Sequence, residues 1–81
     1  QQAIQMASDR HGVSTSEILG ESTARAASQA RHDVYLMLWA DGLSLTQIGG
    51  IMGRHHTTVL HGAREAAKKL TQGVATPPAM R

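Results

Sequence analysis

Five consecutive residues, Arg54-His55-His56-Thr57-Thr58, carry most of the chemistry this sequence can offer an outside partner. An arginine can present two donors to a guanine edge. A threonine can hydrogen-bond a base or set its methyl against a thymine methyl, and a histidine can donate to a base acceptor or a phosphate. Paired threonines are poor helix formers, and adjacent histidines are poor core residues. Yet a helical apolar pattern follows at once in Val59, Ala63, Ala66 and Leu70, at steps of four, three and four. A polar quintet at the head of an amphipathic helix is well placed to touch something outside the protein. The free N–H groups and positive dipole end of that helix favour a nearby phosphate.

The residues just ahead must position this head. In "LSLTQIGGIMG", Ser44 and Gln47 form a capping box that opens a helix over Leu45–Met52. Gly49 is small where a second helix would cross, Gly53 supplies a turn that requires positive φ, and Val59 is the apolar anchor between the helices. Two short helices about a glycine turn, the second amphipathic and basic, form the helix-turn-helix pattern. Further upstream the spacing predicts a helix over residues 2–10, with Ala3, Ile4 and Met6 available for burial. A second capping box, Ser14 with Glu17, opens a short helix that Gly20 closes. From Ser22 to Ala40 there is no Gly or Pro, and Ala27, Ala30, Val34, Met37 and Leu38 recur at helical spacing, so this should be the longest helix. The last helix is expected over His56–Leu70. The fold class is therefore all-α, a small domain of about five helices containing a helix-turn-helix. Residues 1–70 form the domain, and 71–81, "TQGVATPPAMR", read as a flexible tail or linker.

Composition supports this reading. Eighty-one residues hold one modest core, and the only aromatics are Tyr35 and Trp39, so packing falls to Leu, Ile, Val, Met and Ala. There is no cysteine, which excludes disulfides and thiolate metal sites. No apolar run is long enough to span a membrane and no signal peptide opens the chain, so a cytoplasmic, nucleoid-associated location is expected. A start at Gln-Gln suggests a piece of something longer. The net charge of +2 is unevenly placed. Residues 1–53 carry Arg10, Arg25 and Arg31 against Asp9, Glu17, Glu21, Asp33 and Asp41. Residues 54–81 carry Arg54, Arg64, Lys68, Lys69 and Arg81 against Glu65 alone. That asymmetry points a polyanion at the C-terminal half.

With "LSLTQIGGIMG" ahead of it, "RHHTTVLHG" resembles the signature of the C-terminal, origin-box-binding domain of the bacterial replication initiator DnaA, whose hallmark is Gly-Arg-Asp-His-(Ser/Thr)-Thr-Val-Leu-His-Ala. "GVSTSEILG" extends the likeness backwards, so that it covers roughly Met6 to Leu70. The resemblance implies a Trp-repressor-like helical domain that binds duplex DNA as a monomer. A recognition helix would lie in the major groove, and a basic loop before the long helix would reach the minor groove. By position His56, Thr57 and Thr58 fall on the base-reading residues, Arg54 on the signature arginine, and His61 on the second histidine near the backbone. Two departures stand out. The family's capping and base-reading Asp is His55 here, and the basic loop keeps only Arg25 and Arg31 while adding Glu21.

The expected partner is double-stranded DNA, with other domains of a longer chain or a protein partner as further possibilities. The DNA-binding set is Arg25, Arg31, Arg54, His55, His56, Thr57, Thr58, His61 and Lys68. About three to five phosphate neutralisations from Arg25, Arg31, Arg54, Lys68 and Lys69 would give a log–log salt slope near −3 to −4.5. The thinned loop favours a transcriptional regulator or a mobile-element protein over the housekeeping initiator. The alternative is a helical protein-interaction domain that has lost or weakened its DNA binding, with Tyr35, Leu36 and Trp39 as a partner surface unless they pack inside. No metal, cofactor or enzymatic activity is expected. No histidine pair has zinc-helix spacing, and neither a nucleophile triad nor a phosphate-cradling loop is present.

Overall fold

The computed structural model describes residues 2–74, and the last part of the predicted tail, 75–81, lies outside them. Five helices follow one another: α1 (Gln2–His11), α2 (Thr15–Leu19), α3 (Arg25–Ala40), α4 (Leu45–Met52) and α5 (His56–Val74). There is no strand among the described residues. α3 is the centre of the fold, with α1 and α5 packed against it and α4 packed on α5. It is not the longest helix as expected: it starts at Arg25 rather than Ser22 and has 16 residues, whereas α5 has 19.

Both capping boxes form. Ser14 Oγ accepts the Glu17 N–H at 3.1 Å while Glu17 accepts from the Ser14 N–H, and Ser44 and Gln47 repeat the arrangement at the head of α4. Each such cap stabilises its helix by about 1 kcal/mol, which matters for helices of one or two turns that cannot stand alone.

Ala7, Ile18, Ala30, Val34, Tyr35, Ile48, Val59 and Ala63 are buried almost completely. Tyr35 is the largest of them, and it fits because Gly62 on α5 leaves its ring room; a Cβ there would fall 2.5 Å from the ring. Of the three residues weighed as a partner surface, Tyr35 is core, Leu36 is half-buried, and Trp39 is exposed. Two further expectations are corrected. Met6 faces solvent and Ala7 takes the inward position, and Leu70 is exposed although Val59, Ala63 and Ala66 of the same predicted stripe are buried. α5 also runs a turn beyond Leu70, through Gly73 to Val74, the first proline being Pro77.

Candidate nucleic-acid interface

α4 and α5 form the helix-turn-helix. Gly53 ends α4 in the left-handed region, φ 67° and ψ 36°, as the turn requires. The Arg54 N–H then donates back to the Gly49 carbonyl at 2.9 Å. Gly49 is held to its size by the turn itself, since a Cβ there would sit 2.4 Å from the Arg54 carbonyl oxygen. Beyond the turn Val59 is buried between the helices, and its N–H bonds the His55 carbonyl.

The head of α5 is presented outward. His55, His56, Thr57 and Thr58 are all exposed. His55 stands where the family has its capping Asp, and it caps the helix in that residue's place. Its Nδ1 accepts the Thr57 backbone N–H at 3.3 Å and lies 2.8 Å from Thr57 Oγ1. Its ring also lies beside that of His56, with centroids 4.3 Å apart. An imidazole thus serves the helix start that a carboxylate serves in the family's signature.

The rest of the helix continues the same face. Residues spaced four, three and four apart share one side of an α-helix, and from Thr57 those steps reach His61, Arg64 and Lys68, all exposed. They lie opposite the buried Val59, Ala63 and Ala66. Arg64 was absent from the predicted set. The spacing that found the core stripe also identifies it, had the opposite face been counted.

The other predicted cations go elsewhere. Arg31 is not a surface group: it is 8% exposed, and its guanidinium donates to the carbonyls of Glu17, Ile18, Gly20 and Ser22. These are the orphan carbonyls at the end of the five-residue α2 and in the loop after it, which have few backbone N–H groups to meet them. Burial lowers the Arg31 pKa from its ordinary value, the nearby Arg54 adds to this, and Tyr35 opposes it. Arg54 is half-buried and turns the same way, donating to the Gly20 carbonyl. Both arginines thus clasp the α2–α3 loop, which leaves Arg25, exposed at the start of α3, as the loop's free cation of the predicted pair.

Residues 1–65 match the family described as bacterial DnaA protein helix-turn-helix. The chain belongs to this family. A curated DnaA-family relative, the chromosomal replication initiator protein DnaA of Picosynechococcus sp., is 37% identical over 71 residues. That match covers 85% of this chain but only 16% of the initiator, so the chain spans a small part of its DnaA relative. No solved structure matches. The DnaA helix-turn-helix is a non-catalytic module, and among the described residues of this one no three His, Asp or Glu side chains are grouped to hold a metal ion. No described helix is long and apolar enough to cross a membrane.

Proposed function

We propose that this domain binds double-stranded DNA in a sequence-dependent manner, with the first turn of α5 in the major groove. The observation that carries the reading is the exposed stripe Thr57, His61, Arg64 and Lys68, running down α5 from a polar head and opposite its buried face. Base reading falls to His56, Thr57 and Thr58. Arg25, Arg64, Lys68 and Lys69 meet phosphates, and His61 lies near the backbone. The domain acts as a monomer on its box, in a bacterial cytoplasm and on the nucleoid, as the DNA-binding part of a transcriptional regulator or replication initiator. With Arg31 and Arg54 turned inward, about two to four phosphate neutralisations remain, for a log–log salt slope near −2 to −3.5.

Competition titrations on a matched box and a scrambled duplex test this. Thr58→Ala should cost about 1 to 3 kcal/mol of matched-over-scrambled discrimination while leaving scrambled binding almost unchanged. Lys68→Ala should weaken both duplexes alike. A flat salt response of the unaltered domain removes the proposal.

A further inference from the structure

The Thr57 hydroxyl is already engaged by the protein, whereas no side chain among the described residues engages that of Thr58. The group that engages it, His55 Nδ1, also faces the Thr57 backbone N–H. A backbone N–H can only donate, so in this geometry Nδ1 is the acceptor and offers its lone pair. The Thr57 hydroxyl, 2.8 Å from that same nitrogen, then shares the nitrogen's one lone pair with the N–H in a three-centre contact and directs its single hydrogen at it. What Oγ1 keeps for an outside group is lone pairs alone. Thr57 is exposed in the first turn of α5, where such an acceptor would meet a base edge.

We propose that His55 is a positioning residue that fixes the hydrogen-bond polarity of Thr57, making it an acceptor that selects a base with an exocyclic amine, adenine N6 or cytosine N4, on the strand it faces. This rests on α5 being the recognition helix. Guanine and thymine present O6, N7 and O4 acceptors in the same groove. A hydroxyl without a hydrogen to donate is repelled by them. A carboxylate at position 55 would accept the same two hydrogens, so His55→Asp keeps the polarity. His55→Ala releases the hydroxyl to donate or accept.

The test begins with selection from a randomised duplex library by the unaltered domain and by Thr57→Val, which locates the base pair Thr57 reads. At that pair four duplexes are titrated: the selected pair, the same pair with its strands exchanged, the pair with the exocyclic amine deleted (purine for adenine, or 2-pyrimidinone for cytosine), and the pair with the keto oxygen of the opposite base deleted. Exchange and amine deletion should each weaken the unaltered domain and His55→Asp about fivefold, the scale of a single base contact. Thr57→Val should respond to neither, and His55→Ala should tolerate the exchange. If deleting the keto oxygen is what weakens binding, or if His55→Ala resists the exchange as the unaltered domain does, the proposal is overturned. It is equally overturned if Thr57→Val alters the preference nowhere. Where circular dichroism shows His55→Ala unfolded, the amine and keto deletions read with the unaltered domain, His55→Asp and Thr57→Val decide the matter. If the unaltered domain selects no sequence, the DNA reading itself fails, an outcome distinct from selection with the wrong polarity.

Discussion

The α4–α5 turn and the α2–α3 loop each lead into a helix, and each has arginine within reach. In the α4–α5 turn the helix start is served locally, by the imidazole of His55 one residue before α5. Its neighbours are left free to face outward. In the α2–α3 loop Ala24 precedes α3 and provides no side-chain cap, and the carbonyls after α2 are met from a distance by Arg31 and Arg54. A charge counted near a loop is therefore not a charge on its surface. Where a short helix ends without enough N–H donors, an arginine from the next helix is drawn in, and its fork suits several carbonyls at once.

Exchanging the roles of the two arginines gives the largest expected effect. Arg31→Ala leaves the Glu17, Ile18 and Ser22 carbonyls without their side-chain donor, Gly20 keeping Arg54, and should destabilise the domain by about 3 kcal/mol, a large part of what a domain this small holds. Arg31→Lys should recover little of it, since an ammonium lacks the guanidinium's fixed fork. Arg25→Ala should leave the melting temperature unchanged, weaken DNA binding uniformly, and flatten the salt slope by about one unit. Denaturant unfolding beside salt-dependent titration checks both. If Arg31→Ala melts normally and loses only DNA affinity, the contrast between the two regions collapses.

The two adjacent glycines of α4 sharpen the same point at smaller scale. Gly49→Ala drives a methyl into the Arg54 carbonyl and should cost about 1 to 3 kcal/mol. Nothing lies within 4 Å of a Cβ at Gly50, so Gly50→Ala should stabilise α4 by about 0.5 to 1 kcal/mol. Equal melting temperatures for the pair would mean that the turn yields freely to the added group.

Local rules account for what could be read from the residues alone. Capping boxes at Ser14 and Ser44, the positive φ at Gly53 and the α5 stripe are all set by neighbours a few positions apart, and each element formed within a few residues of its predicted ends. What could not be read that way has its partner distant in sequence. Arg31 reaches carbonyls nine to fourteen residues back, and Arg54 reaches Gly20, thirty-four residues away. Gly62 matters because Tyr35 of another helix lies against it. The role of His55 was hidden for a different reason. Histidine is not among the usual capping residues, so only its geometry shows that it caps.

The smallest expected effect concerns protons, at a cleft between α1, α3 and α5. His32 on α3 shares a cleft with His11, Asp33 and Lys69, and its ring lies near Tyr35. Burial lowers its pKa below the ordinary 6.5, Lys69 lowers it further, Arg31 and His61 act in the same direction, and Glu65 opposes them. The unfolded chain therefore takes up this proton at a higher pH than the folded one does. Above about pH 6.5 both states hold His32 neutral, and it makes stability no more pH-dependent. As the pH falls below that value the unfolded state gains a proton that the folded state refuses, and stability drops until the lowered folded pKa is passed. Melting temperatures followed from about pH 8 to pH 5 should thus fall less steeply for His32→Gln than for the unaltered domain, the carboxylates contributing mainly at lower pH. Lys69→Gln should give an intermediate slope, because it removes the second cause and leaves the first. Parallel curves for the domain and His32→Gln would show that the ring is open to solvent and that α1, α3 and α5 do not close over it.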